Sequence, residues 1–185
     1  HFAMKYPNVR FNFLGYLGFG DSLPTTTDLA FSPNVGAGVA ELWRNHGLPA
    51  NCNERSDIFF GRLARMSSEK NGLYVWDYLA NFSDFCIPFP NHRIFGQTAK
   101  FYKESGVRGV FCQSQYATTI GDMGALNLWL FAKLLWNPDL DVDTLTATYV
   151  KAAYGNGAKG IQEYLDLLEH ARLRQRWTWL GCYVA

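Results

Sequence analysis

Four short apolar runs, set apart by loops and helix-like segments, limit the folds open to this chain. "VRFNFLGYL" (Val9 to Leu17), "VGAGVAEL" (Val35 to Leu42), "LYVWDY" (Leu73 to Tyr78) and "VRGVFCQ" (Val107 to Gln113) have the length and the β-branched and aromatic content of strands. Between the second and third lies "SDIFFGRLARMSSEKNG", where Ser56 can cap a helix with Ile58, Phe59, Leu63 and Met66 as its apolar stripe and Gly72 beyond its end. Between the third and fourth lies "NHRIFGQTAKFYKESG", a second helix with Gly106 as its stop. Strands that recur with helices between them build βαβ units and a parallel sheet.

Three further helical segments follow. "GALNLWLFAKLLW" (Gly124 to Trp136) is strongly apolar, a second helix capped by Asp143 or Thr144 ends near Gly155, and a last one carries Ile161, Leu165, Leu168 and Leu173. A closed (β/α)8 barrel has eight strands and about 250 residues. The α/β reading is therefore the C-terminal half of a (β/α)8 TIM barrel over residues 1–136, with residues 137–185 a helical appendage. A small doubly wound domain is the alternative. The first residue is His1, not Met, and "HFAMKYP" reads as the tail of a helix entering a strand, so a longer parent polypeptide is expected.

The composition excludes several classes of function. Net charge is +1, without the basic stripe that tracks phosphates, so no nucleic-acid partner is expected. No apolar run approaches the roughly 18 residues of a membrane span. Cys52, Cys86, Cys112 and Cys182 form no CxxC pair and read as free buried thiols; His1, His46, His92 and His170 lack metal-ligand spacing. No metal and no organic cofactor is expected. "GYLGFG" is not a dinucleotide fingerprint, no G-x-S-x-G elbow is present, and the "NFS" sequon at Asn81 carries little weight.

The strand ends remain. Glu41 follows one strand, Trp76, Asp77 and Tyr78 close the next, and Gln113 closes the last. In a barrel such ends converge on one mouth. Carboxylates, a phenol, amides (Asn81 in the following loop among them) and an indole there can hydrogen-bond sugar hydroxyls and stack on a pyranose face. The competing reading has Asp77 capping a turn and Trp76 in the core.

Three stretches, "LYVWDYLANFSDFCIPFPN", "FYKESGVRGVFCQ" and "ALNLWLFAKLLWNPDLDVDTLTATYVKAAYG", resemble in order and spacing the bacterial family filed as domain of unknown function 4838. Some members of that family act as glycoside hydrolase family 163 endo-β-N-acetylglucosaminidases. The resemblance spans about Asn8 to Leu168. It implies a TIM-barrel hydrolase acting on N-acetylglucosamine-containing glycans, a secreted or periplasmic location, and substrate assistance, in which the acetamido oxygen attacks the anomeric carbon. A non-catalytic carbohydrate-binding barrel is the alternative. The implied sugar contacts are Asp77 and Tyr78, with Trp76 as a stacking wall and Glu41, Asn81 and Gln113 behind them. Two departures stand out: Ala125 sits where the family pattern has an acid, and no two consecutive acidic residues occur anywhere in the chain. The second departure would put the general acid upstream of this chain.

Overall fold

The computed structural model describes residues 2–16, 31–53, 60, 63, 72–116, 121–174 and 179–183. After a short helix α1 (Phe2–Lys5), the strands β1 (Phe11–Gly15), β2 (Val35–Ala40), β3 (Leu73–Tyr78) and β4 (Val107–Gln113) form one parallel sheet in the order β1-β2-β3-β4. The third and fourth strands have the expected bounds; the first two are shorter than expected. Helices α2 (Phe95–Glu104), α3 (Gly124–Trp136), α4 (Val142–Tyr154) and α5 (Ala158–Arg174) follow. Of the helix expected after Ser56, Phe60 and Leu63 are helical and buried, while Ser56, Ile58, Phe59 and Met66 lie outside the described residues.

Register assigns each strand residue to a face. Phe13, Ala37, Val39, Leu73, Val75, Val110 and Cys112 share one face, which packs on Phe95, Ala99, Tyr102, Leu130, Phe131 and Leu134 of α2 and α3. Asn12 and Leu14, Gly36 and Gly38, Tyr74, Trp76 and Tyr78, and Gly109, Phe111 and Gln113 share the other. No described helix covers that second face, and Leu14 and Phe111 are exposed on it. A doubly wound sheet reverses its strand order at a switch point and carries helices on both faces. The described strands keep chain order with no such reversal, and α2 and α3 pack on one face.

Local chemistry explains the helix bounds. In α2, Phe95, Thr98, Ala99 and Tyr102 recur at helical spacing and are buried. Gly106, at φ +75°, takes the left-handed position after the last turn, and its N–H donates to the Lys103 carbonyl. Helix α4 is capped by Asp141, whose Oδ1 accepts from the Thr144 N–H at 2.8 Å. The cap is thus neither Asp143 nor Thr144: it lies two residues before Asp143, and Thr144 supplies the donor. On α5, Leu165 is buried with Leu126 and Val150, but Leu173 is exposed, and the buried position after Leu168 is Glu169, paired with Arg172. Arg172 also donates to the Gly47 carbonyl, and Arg93 pairs with Asp166, which ties α5 to the loop after β2 and to the start of α2. The thiols are free, yet Cys52 and Cys86 are exposed; only Cys182 is fully buried. Both exposed cysteines lie beyond strand ends, where the chain runs along the surface.

Candidate functional site

Because all four strands are parallel, their C-terminal ends share one edge of the sheet. On the open face, Trp76 Nε1 donates to Gln113 Oε1 at 2.8 Å. The Trp76 indole meets the Phe111 ring edge-on at 4.8 Å and stacks near Tyr78 at 6.5 Å. Tyr78 is buried, with the exposed Tyr16 just beyond β1 close by. Burial and that neighbour push the Tyr78 phenol far above its ordinary pKa, so it stays protonated.

Asp77 points to the opposite, helix-covered face and is completely buried. Arg44 Nη2 reaches both of its oxygens at 2.9 Å, the Tyr102 hydroxyl donates to Oδ2 at 2.8 Å, and the Tyr78 N–H donates to Oδ1 at 2.8 Å. Burial alone would raise the Asp77 carboxyl, but the Arg44 guanidinium, helped by the hydrogen bond from the Tyr102 hydroxyl, holds it below the usual carboxylate range. Glu41 is also buried, with Oε2 3.8 Å from Arg44 Nε. The His46 ring is fully buried, with Nδ1 3.8 Å from Asp77 Oδ1. Burial and the nearby Arg44 lower it to about 3, so the imidazole is neutral at ordinary pH.

The loop after β3 builds a third group. Asn81 is buried, and its Oδ1 accepts from the Ser83 N–H at 2.9 Å, an Asx turn that fixes the loop. Phe82, Phe85, Tyr116 and Tyr183 gather beside it. Residues 179–183 run across these loops. The His46 N–H donates to the Leu180 carbonyl at 2.8 Å, the Phe82 N–H to the Cys182 carbonyl at 2.6 Å, and Ser83 Oγ to the Tyr183 carbonyl at 3.0 Å.

The six residues expected at a mouth therefore separate. Trp76, Tyr78 and Gln113 come together on the open face. Asp77 and Glu41 meet behind the sheet, and Asn81 shapes the loop between. Sequence reasoning missed Tyr16, Arg44, Tyr102 and the 179–183 segment as partners. "ELWRNH", with two charges and a histidine immediately after a strand, was a usable signal for Arg44 and His46. Tyr102 sits in an apolar helical stripe and gave none. Among the described residues no group of three or more His, Cys, Asp or Glu side chains is placed to hold a metal ion, and no helix is long and apolar enough to cross a membrane.

Comparison with known families matches residues 1–166 to the family described as Domain of unknown function (DUF4838). The chain belongs to the DUF4838 family. No curated protein and no solved structure matches it. Within this DUF4838 chain, the matched span includes all four strands and every residue of the Asp77 network.

Two consequences can be measured. Asp77→Ala leaves Arg44 buried without its anion and should cost about 3–5 kcal/mol in urea unfolding, with part recovered when Arg44→Leu is added. A loss under about 1 kcal/mol would contradict the buried pair. The second consequence concerns pH. His46 in the folded chain resists protonation down to about 3, and His92 down to about 4, against 6.5 when exposed. Between those values the unfolded chain binds more protons, so stability falls as pH drops from about 7 to 4. Asp77, held low, adds its own loss only as pH falls below about 3.8. His46→Gln with His92→Gln should flatten the decline of the urea midpoint between pH 7 and 4.5; an unchanged slope would refute the assignment.

Proposed function

We propose that this chain is part of a (β/α)8-barrel glycoside hydrolase acting on N-acetylglucosamine-containing glycans, with Trp76, Tyr78 and Gln113 facing the sugar. The observation that carries the reading is the open sheet face at the strand ends, where an indole, a phenol and an amide are held in one row. Chain-order parallel strands with helices on one face are also the arrangement of a barrel wall, whose inner face and C-terminal rim hold the site. The substrate class comes from the sequence resemblance to family 163 enzymes, and membership of DUF4838 agrees with that resemblance.

In this reading the acetamido oxygen of the substrate attacks the anomeric carbon and the glycosidic C–O bond breaks. The leaving oxygen takes a proton from a carboxylic acid, and water then opens the cyclic intermediate. Such substrate-assisted enzymes depart from the two-carboxylate scheme. Asp77 and Glu41 are buried, and Asp77 is fully paired, so neither is assigned as that acid. Asp77 instead holds β3 and the "ELWRNH" loop in place. The same burial favours the second reading, a carbohydrate-binding barrel that does not cleave.

The test incubates the full-length protein with a complex-type N-glycoprotein and reads released glycans by mass spectrometry. Release should fall by about 100-fold in Tyr78→Phe, the scale of one oriented hydrogen-bonding group. Release unaffected by that variant would remove Tyr78 from the site. No release, with glycan binding retained, would establish the second reading.

A further inference from the structure

The described residues hold an exposed aromatic group that the strand-face site does not use. Phe82 lies at its centre: its ring is nearly parallel to Tyr116 at 6.3 Å, tilted against Tyr183 at 5.5 Å, and edge-on to Phe85 at 5.6 Å. Phe85 in turn meets Tyr116 edge-on at 5.6 Å. Phe82 and Phe85 are partly buried, Phe82 against Leu42, Tyr78 and Cys182, and the two tyrosines stand out from them. Tyr116 is 76% exposed and Tyr183 50%, and no charged side chain is hydrogen-bonded to either among the described residues. Contiguous exposed apolar patches rimmed by polar groups mark binding surfaces.

The group is also built in advance. Phe82 is pinned through its N–H to the Cys182 carbonyl, and Tyr183 through its carbonyl to Ser83 Oγ. Cys182 is fully buried against Leu42 and Tyr78, and its thiol donates to the Leu42 carbonyl at 3.5 Å. Residues 179–183 thus form a strap across the ends of β2 and β3 that delivers Tyr183 to the rim. A platform held this way loses little side-chain freedom on binding. It is continuous with the strand-face row, because Phe82 meets Tyr78 edge-on at 5.8 Å.

We infer that Phe82, Phe85, Tyr116 and Tyr183 form a second carbohydrate subsite, stacking the apolar face of a sugar residue one or more units away from the one held by Trp76, Tyr78 and Gln113. Neutral rings with phenol hydroxyls suit an uncharged pyranose, which presents C–H groups on one face and hydroxyls at its edge. The inference rests on the glycan reading above and adds that the ligand is an extended chain whose length the protein senses.

The test measures calorimetric binding of the full-length protein to N-acetylglucosamine and to a non-hydrolysable thio-linked N-acetylchitotetraose. The wild type should bind the tetrasaccharide more tightly than the monosaccharide. Tyr116→Ala with Tyr183→Ala should weaken the tetrasaccharide about tenfold and leave the monosaccharide unchanged, while Tyr116→Phe with Tyr183→Phe keeps most of the affinity and shows that the strap has stayed folded. Equal tetrasaccharide affinity in the Ala variant and the wild type would overturn the subsite and leave the glycan reading standing, as would monosaccharide binding with no gain from length. No binding of either sugar by the wild type would overturn both.

Discussion

The carboxylate of Asp77, buried and bound by Arg44 and Tyr102, is the contact on which the strand ends depend. It joins three pieces of chain that sequence keeps apart: the end of β3, the loop after β2 and the last turn of α2. A charge this deep is costly unless its lone pairs are filled, and here two cationic hydrogen bonds, a phenol and a backbone N–H fill them. The arrangement fixes where β3 stops and, by the alternation of strand side chains, aims Trp76 and Tyr78 to the other face.

That division between faces organises the rest of the chain. The helix side is apolar and closely packed around Leu130, Phe131 and Leu134, with Asp77 at its rim. The open side sets the large rings of β3 and Phe111 beside Gly36, Gly38 and Gly109. Gly109 is required where it is, since a Cβ there would sit 2.9 Å from the Tyr74 ring. At the strand ends Trp76 and Gln113 stay part-exposed with Tyr78 buried beside them, and the loop after β3 extends that row outward to Phe82 and the strap.

Much of this was legible in the residues. Leu73–Tyr78, Val107–Gln113 and Gly124–Trp136 fall where the apolar runs put them, because uninterrupted short runs and a Gly-bounded apolar helix leave little choice of boundary. The strand ends were also legible as places of interest. What could not be seen was which way each end residue points and what meets it. Asp77 beside Trp76 and Tyr78 looked like three members of one cleft, yet adjacent strand residues face opposite ways, and Asp77 finds Arg44 and Tyr102, 33 and 25 residues distant. The contact of Cys182 with the Leu42 carbonyl spans 140 residues and leaves no local mark. The Asp141 cap was missed for a smaller reason: three acids crowd "PDLDVD", and only backbone geometry selects among them.

The central claim is that the open face at the strand ends receives the sugar. Its most direct test follows the indole N–H signals of the protein by NMR during titration with thio-linked N-acetylchitotetraose. Trp76, bonded to Gln113, should shift and saturate with the ligand, while Trp136, 92% exposed at the far end of α3, should stay still. A saturating ligand that leaves the Trp76 signal unmoved would contradict the account.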